Sequence, residues 1–276
     1  MSNHNNLIIN KSKSFHGKIN IPGDKSISHR SIILGSIADG TLKITNFLNS
    51  DDCLNTISAM KMLGADITLN KTQVTIKGLG LFGLKKPNSV IDAGNSGTLI
   101  RLLTGVLATQ NFSSSISGDD SLRNRPMRRI IEPLSNVGAE IQSVNFKAPL
   151  TITPKTKISP ISYTQEIASA QIKSCMILAA LFIKGKHKFY EKIPTRDHTE
   201  NLLEHFGCDI TRSKNTFTIS GHQKLLAKNI EISADISSAS FFIVAALILK
   251  DSEITIPDVN INEYRIGIIA VLQKMN

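Results

Sequence analysis

The sequence contains no tryptophan and only three tyrosines among its 276 residues. Proteins that bind single-stranded nucleic acid stack the bases on aromatic side chains, and no RNA-binding or zinc-finger signature is present either. The net charge is nevertheless +10, from 32 lysines and arginines against 22 aspartates and glutamates. Such a balance favours anionic partners. Small phosphorylated metabolites fit better than nucleic acid, because the cations cluster at predicted helix starts and form no continuous stripe.

Long hydrophobic runs are also missing. A membrane-spanning helix needs about 20 apolar residues. The longest run here, residues 241–249, is far shorter, and the polar N-terminus has no signal-peptide core. We therefore expect a cytoplasmic protein with no membrane partner. The composition, 41% hydrophobic and 20% charged, is typical of a globular chain.

Cysteine is scarce. Cys53, Cys175 and Cys208 stand alone, without the spacing of metal ligands, and two of them lie in apolar helical patterns. Isolated cysteines of this kind behave as small hydrophobic residues. We predict three buried, reduced thiols and neither a metal site nor redox chemistry.

The sequence repeats itself with a period of about 70 residues. Four segments rich in Ser or Gly each precede an apolar run: residues 26–30, 95–101, 169–173 and 237–240. A short Gly-led marker follows the first three segments, at residues 64–66, 138–140 and 207–209. Each segment predicts a helix start, and each marker predicts the end of a second helix. The fourth marker falls due at about residues 274–280, which predicts that the chain is cut inside a repeat.

The hydrophobic period changes within one repeat. Residues 53–63 place apolar side chains at helical spacing, whereas residues 41–45 and 67–76 alternate as strands do. Asp51 and Asp52 are predicted to cap the helix. One unit therefore contains helix, strand, helix, strand and strand. Because no dinucleotide fingerprint is present, we predict an α/β fold of repeated βαβαββ units with helices inside, and not a Rossmann domain.

The strongest local signal lies in residues 21–30. A Gly-led turn that enters a helix offers free backbone N–H groups and the positive end of the helix dipole to an anion. Lys25 and Arg30 would add two cations, and Ser26 a hydroxyl. The P-loop spacing is not met, because Asp24 precedes Lys25. The alternative interpretation is a capped helix whose charges are solvated.

Other segments also favour anion binding. They are residues 94–98, residues 118–129 with four arginines, and residues 169–173 and 195–200. Glycines permit close approach of a ligand to the backbone, and guanidinium groups suit carboxylate or phosphate. His29 and His198 are candidate general bases, but local structural roles are preferred because no carboxylate partner can be placed for either from the sequence.

Several of these motifs resemble those of the 5-enolpyruvylshikimate-3-phosphate (EPSP) synthase family, from about residue 8 to the last residue. They are Gly23-Asp24-Lys25-Ser26, Gly94-Asn95-Ser96-Gly97-Thr98, Arg125-Pro126 and Ser169-Ala170-Gln171-x-Lys173, in this order and spacing. Arg196-x-His198-x-Glu200 further resembles the second class of the family, whose members are often glyphosate-tolerant. Two features depart from that class. Its Asn-x-Thr-Arg motif is replaced by Asn262-Glu263-Tyr264-Arg265, and Gly97 stands where tolerance is often linked to alanine.

The resemblance implies a transferase without metal or organic cofactor. It would move the enolpyruvyl group of phosphoenolpyruvate to the 5-hydroxyl of shikimate 3-phosphate, releasing phosphate, in the shikimate pathway to chorismate and the aromatic amino acids. The implied residues for shikimate 3-phosphate are Lys25, Ser26, Arg30, Ser169, Ala170, Gln171 and Arg196. Those for phosphoenolpyruvate are Lys25, Gly97, Arg125 and Gln171. The implied catalytic set is Lys25, Asn95, Arg101, Asp52 and Asp235.

The family fold has two lobes of three repeats each, which close over the substrates. The resemblance implies a complete lobe at residues 22–233 and parts of an incomplete second lobe at 1–21 and 234–276. Family members take their acid and base carboxylates from the later part of the second lobe, and nothing here matches them. We therefore expect this chain alone to bind shikimate 3-phosphate weakly and not to turn over, and the full-length form to be a monomer.

Two alternatives stay open at this point. UDP-N-acetylglucosamine enolpyruvyl transferase shares the fold and the phosphoenolpyruvate chemistry, but it typically has Lys-Asn where this chain has Lys25-Ser26, and a loop cysteine that has no match here. The other alternative is a non-catalytic anion-binding or interaction module. Sequencing past codon 276 would separate the enzyme from such a module, because an in-frame continuation that starts near Gly-Ala would favour the enzyme.

Overall fold

The computed structural model describes residues 10–155 and 157–275, which form nine helices and fourteen strands. The helices are α1 (Lys25–Ser36), α2 (Asp51–Met62), α3 (Gly97–Leu107), α4 (Asp120–Arg123), α5 (Arg128–Asn136), α6 (Ala170–Leu181), α7 (His198–His205), α8 (Ile236–Ile248) and α9 (Gly267–Lys274). The strands are β1 (His16–Lys18), β2 (Asp39–Thr45), β3 (Asp66–Asn70), β4 (Gln73–Leu79), β5 (Ile91–Asp92), β6 (Ser114–Ser117), β7 (Glu140–Val144), β8 (Lys147–Thr153), β9 (Ser162–Gln165), β10 (Lys186–Glu191), β11 (Ile210–Ser213), β12 (Thr216–Ser220), β13 (Ile230–Glu231) and β14 (Glu253–Thr255).

Three four-stranded sheets share one topology. Their strand orders are β13-β2-β4-β3, β5-β6-β8-β7 and β9-β10-β12-β11. In each sheet the first strand pairs parallel to the second, and the other two neighbouring pairs are antiparallel. The predicted α/β fold of repeated βαβαββ units is therefore confirmed. In the first sheet the leading strand is β13, so the chain returns after the third unit to complete the first.

One helix of each unit is buried almost all round. The helices α1, α3 and α6 lie in the main hydrophobic core, and α3 packs directly against α6. Gly105 permits this close approach, because a Cβ there would lie 2.1 Å from the backbone carbonyl oxygen of Cys175. The sheets surround the three helices because each sheet turns its alternating apolar face inward.

The three predicted markers end helices in the same way. Gly64, Gly138 and Gly207 follow α2, α5 and α7 and have φ angles of +99°, +107° and +86°. This left-handed conformation at a helix C-terminus favours glycine, which has no Cβ to clash. The repeated glycine of the markers is therefore explained by the left-handed backbone conformation at the end of each helix.

One detail of the capping prediction is wrong. Asp51 and Asp52 are the first two residues of α2, and Ser50 is the N-cap without a side-chain capping bond. Carboxylates inside the first turn still interact favourably with the positive end of the helix dipole. Their contribution to α2 is therefore electrostatic.

A second, smaller group of elements lies at the two ends of the described chain. The strand β1 pairs parallel to β14, and Ile21, Ala234, Ile236 and Ala239 form a separate hydrophobic cluster. The helices α8 and α9 carry exposed apolar side chains. The predicted lobe boundaries, 22–233 with 1–21 and 234–276, stay a prediction, and residues 1–9 and 276 lie outside the described part.

The three cysteines are buried and free, as predicted. Burial raises the pKa of each thiol to about 12. No helix in the described part of the chain is both long and apolar enough to cross a lipid bilayer. Within the same residues, no three His, Cys, Asp or Glu side chains come together as metal ligands.

Candidate active site

The N-terminal ends of α1, α3 and α6 meet at one end of the main core. Gln171 in the first turn of α6 accepts a hydrogen bond from Arg101 Nη1 of α3 at 3.0 Å and donates one to Thr98 Oγ1 at 3.0 Å. Arg196, just before α7, donates from Nη1 to Ser26 Oγ of α1 at 3.1 Å. Helix N-termini expose unpaired N–H groups and the positive end of the dipole. Their convergence favours an anion.

The first motif is organised by Asp24. Its carboxylate accepts the backbone N–H of Ile27 at 3.0 Å and so caps α1. This bond explains the departure from a P-loop, because the position before the lysine is a helix cap. The Lys25 side chain remains about half exposed, and its Nζ lies 3.0 Å from Asp52 Oδ2. Lys25 and Asp52, two residues of the implied catalytic set, are therefore in contact at the rim of the site.

Arg30 lies beneath this rim and is almost fully buried. It donates from Nε to Thr199 Oγ1 at 2.8 Å, from Nη2 to Ser174 Oγ at 2.7 Å and from Nη1 to the carbonyl oxygen of Ser26 at 2.8 Å. Burial, followed by repulsion from Arg196, lowers the pKa of Arg30 to about 10. Arg30 thus connects α1, α6 and α7, and its role in binding a substrate stays a prediction.

The second motif brings two arginines to one glycine. Ser96 caps α3, and the Cβ that Gly97 lacks would lie 2.7 Å from Arg101 Nη1 and 3.1 Å from Arg125 Nη1. Arg125 also donates to the amide oxygen of Asn95. Burial, followed by repulsion from other arginines, lowers the pKa of Arg101 to about 10. Glycine therefore leaves room at this turn for two cationic groups.

The dense arginine segment divides in the structure. Arg125 turns toward Gly97, whereas Arg123 bonds to Asp120, and Arg128 bonds to Glu132 and stacks over the ring of Phe146. The remaining arginine of the segment, Arg129, acts electrostatically on Arg101. Only part of the predicted cluster therefore contributes to the site.

The third motif lines a cavity of about 550 Å³. Ser169, Ala170 and Gln171 form one wall, and Arg196 lies among the other lining residues. The lining also includes Ala168, Pro194, Thr195, Tyr264 and Arg265. Its described residues include two arginines and no carboxylate, so this lining suits the binding of an anion.

Tyr264 and Arg265 were not predicted as site residues. The segment 262–265 was recognised only as a motif that departs from its class. Arg265 Nη2 lies 3.7 Å from Asp235 Oδ1 and donates to Ser237 Oγ, and Asp235 accepts the backbone N–H of Ser237 at 2.8 Å. The predicted residue Asp235 therefore holds the base of α8 and an arginine of the cavity.

Both candidate histidines have local structural surroundings. The Nδ1 of His29 lies 2.6 Å from Thr56 Oγ1, and burial lowers the pKa of His29 to about 3. Burial, followed by repulsion from Arg30 and Arg196, lowers the pKa of His198 to about 3 as well. An imidazole with so low a pKa is a weak base near neutral pH. These environments agree with the preferred structural roles.

Five side-chain contacts each join a predicted residue to another residue of this region. Lys25 pairs with Asp52, Ser26 with Arg196, Asn95 with Arg125, Arg101 with Gln171, and Asp235 with Arg265. Within this group the positive charges outnumber the negative ones, and several are buried or half-buried. Charge-assisted hydrogen bonds in such surroundings are among the stronger ones in proteins.

Comparison with known proteins identifies the family to which this fold belongs. A family model described as EPSP synthase (3-phosphoshikimate 1-carboxyvinyltransferase) matches residues 9–276. The 3-phosphoshikimate 1-carboxyvinyltransferase of Ruthia magnifica is 48% identical over 269 residues, and that of Hydrogenovibrio crunogenus is 45% identical over 282 residues. The chain belongs to the EPSP synthase family.

Solved structures agree in fold. An EPSP synthase structure from Acinetobacter baumannii has a TM-score of 0.89 and 44% sequence identity, covering 96% of this chain and 60% of the other. The alignments to the Ruthia and Hydrogenovibrio proteins cover 98% and 100% of this chain, and 62% and 63% of those proteins. This chain thus spans about 62% of the length of the first of these relatives.

Proposed function

We propose that this chain contributes the main cationic face of an EPSP synthase site. The reaction adds the 5-hydroxyl oxygen of shikimate 3-phosphate to C2 of phosphoenolpyruvate and a proton to C3. It then eliminates phosphate from C2 and a proton from C3, which restores the double bond in the enolpyruvyl ether. The observation that supports this most directly is the meeting of three helix N-termini with Lys25, Arg125 and Arg196. Both substrates are multiply anionic, and each charge-assisted hydrogen bond contributes about 1.5–3 kcal/mol.

Shikimate 3-phosphate is assigned to the cavity of the third motif. Arg196 and Ser169 would bind its phosphate and hydroxyl groups, with Ser26 and the backbone of Ala170. Arg30 would act from beneath Ser26. Its bonds to three neighbours keep Ser26 and α6 in register, so its effect on binding is both electrostatic and structural.

Phosphoenolpyruvate is assigned to the neighbouring space at the start of α3. Gly97 lets the guanidinium groups of Arg101 and Arg125 approach the backbone there, and Gln171 would lie between the two substrates, in contact with Arg101. The negative charge that develops on the departing phosphate would meet these preorganised donors. We expect turnover to require groups from the additional length of the relatives, so the purified chain should bind without measurable turnover.

The test is calorimetric titration of the purified 276-residue chain with shikimate 3-phosphate, with and without phosphoenolpyruvate. Lys25→Ala is expected to weaken binding by about tenfold or more, because a loss of about 1.4 kcal/mol is a factor of ten. Lys155→Ala is the matched control, since Lys155 is similarly exposed and is also paired with a carboxylate, that of Glu140.

Two results would contradict the proposal. One is that folded wild-type protein does not bind shikimate 3-phosphate. The other is that Lys25→Ala and Lys155→Ala weaken binding equally, which would indicate a diffuse effect of positive charge. Binding of inorganic phosphate with the same affinity as shikimate 3-phosphate would point instead to a general anion-binding module.

A further inference from the structure

A buried ion cluster lies behind the cavity. Lys173 is 1% exposed, and its Nζ lies 2.9 Å from Glu191 Oε1, 2.8 Å from Glu200 Oε1 and 3.0 Å from the carbonyl oxygen of Thr195. The three charged side chains come from α6, the end of β10 and α7. The cluster therefore joins three elements at one point.

The same cluster binds Thr195, in the loop between β10 and α7, through its backbone N–H, its hydroxyl and its carbonyl oxygen. Glu191 Oε1 accepts the backbone N–H of Thr195 at 3.0 Å and its hydroxyl at 2.8 Å, while Lys173 binds its carbonyl oxygen. We call these contacts of Lys173 and Glu191 with Thr195 the clasp. Apart from Thr195, the loop between β10 and α7 is mostly exposed. Thr195 is thus the residue of this loop that binds the buried ion cluster, while Asp197 is held separately by Asn262 and Arg212.

The next residue along the chain is Arg196, which lines the cavity and bonds to Ser26. Its guanidinium stands at the end of a flexible side chain, so its position depends on where the backbone of the loop is held. A clasp on the preceding carbonyl and amide limits the space over which Arg196 can move. Preorganisation of this kind raises affinity by reducing the ordering that binding requires.

An ion cluster is a costly way to obtain stability alone. Buried ion pairs can often be replaced by apolar side chains without loss of stability, because desolvation offsets their attraction. However, an ion pair that is also hydrogen-bonded fixes the direction of its groups, whereas an apolar contact does not. Lys173 lies one helical turn after Ser169, whose carbonyl oxygen accepts its backbone N–H at 3.1 Å, and Ser169 lines the cavity.

We propose that Lys173 is a positioning residue, which through Glu191 and Glu200 fixes Thr195 and thereby holds Arg196 toward the anion in the cavity. Lys173 itself does not line the cavity. The identity of the anion, shikimate 3-phosphate, rests on the proposed function. The clasp on Thr195 does not, and it has a test of its own.

The first experiment measures hydrogen exchange at the Thr195 amide in the unliganded 276-residue chain by NMR. Lys173→Met is expected to reduce protection of that amide by about tenfold or more relative to amides of the β10–β12 ladder, which report global unfolding. The matched control is Lys192→Met, which removes an exposed ion pair with Glu166 from the same loop. It should leave Thr195 protection unchanged.

Lys173→Met leaves two buried carboxylates without their cation, so it could prevent folding. The double variant Lys173→Met/Glu200→Gln removes both fully buried charges and is the second probe. The double variant should show the same selective loss of hydrogen-exchange protection at the Thr195 amide. Unchanged protection of Thr195 in either folded variant would overturn the proposal.

The second experiment is a double-mutant cycle on the affinity for shikimate 3-phosphate. If Lys173 acts through Arg196, Lys173→Met should weaken binding by about tenfold in the wild-type background. The same substitution should weaken binding by less than about twofold in the Arg196→Met background. Equal weakening in both backgrounds would show that Lys173 does not act through Arg196. If the wild type binds no shikimate 3-phosphate, the proposed function fails, whereas the exchange experiment still decides whether the clasp exists.

Discussion

We expect His29 to make the stability of this protein depend steeply on pH. The ring is fully buried on α1, and its Nδ1 faces Thr56 Oγ1. The charged ring carries a proton on both nitrogens, and only Nδ1 has a neighbour, Thr56 Oγ1, within hydrogen-bonding distance. Within the described residues Nε2 has no hydrogen-bond partner. A proton added there would bring an unpaired charge into the core.

The expected magnitude follows from the two pKa values. Burial lowers the pKa of His29 from 6.5 to about 3. Because the folded state resists protonation, the stability present above about pH 6.5 is lost as the pH falls. Each pH unit in that window costs about 1.4 kcal/mol, so a fall to about pH 5 costs about 2 kcal/mol. This is a large share of the ~5–15 kcal/mol that stabilises a typical protein.

The assay is urea unfolding at about pH 7.5 and about pH 5 for wild type and His29→Gln. Glutamine does not titrate, so the variant should lose about 2 kcal/mol less than wild type between the two pH values. The comparison between pH values is independent of any constant destabilisation by the substitution. His16→Gln, at an exposed position of β1, reports the loss of a surface imidazole. An identical pH dependence for wild type and His29→Gln would refute the reasoning.

Three further outcomes are expected. Gly105→Ala should lower the free energy of unfolding by about 1–3 kcal/mol in urea titrations, because its Cβ would meet the backbone of Cys175 at 2.1 Å. The control is Gly267→Ala, whose Cβ would meet open space. Equal stability of both variants would contradict the packing argument. Gly97→Ala should change stability by less than about 1 kcal/mol, since only flexible guanidinium groups must move, yet weaken phosphoenolpyruvate binding in calorimetry with shikimate 3-phosphate present. Unchanged affinity would show that the space beside Gly97 is not used. The three buried thiols, whose pKa burial raises to about 12, should resist alkylation at about pH 8 until the protein is unfolded, and rapid labelling of native protein would contradict their burial.

The repeat pattern and the motifs in the sequence predicted the fold and much of the composition of the candidate site. Gly64, Gly138 and Gly207 were readable as helix ends because a left-handed backbone conformation favours one residue type wherever it occurs. The helix starts were readable for a similar reason, since Ser and Asp at the cap bond to backbone groups only a few residues away. Such local constraints leave local signals.

Contacts between distant segments left no such signal. The bond between Ser26 and Arg196 joins residues 170 positions apart, and the cavity brings Tyr264 and Arg265 to the third motif. The four arginines of residues 118–129 looked alike in sequence, yet only Arg125 faces Gly97. Side-chain direction depends on packing between elements, which no local pattern records.

Sequence alone therefore determined the repeated α/β units, the helix starts and ends, and the excess of positive charge at anion-binding turns. Only the tertiary structure decided which charges face a cavity and which are buried. It paired Lys25 with Asp52, buried Lys173 between Glu191 and Glu200, and closed the first sheet with β13 from far along the chain. The physical reason is range: caps and periodicity act within a few residues, whereas burial and electrostatics act between whatever side chains the packed core brings together.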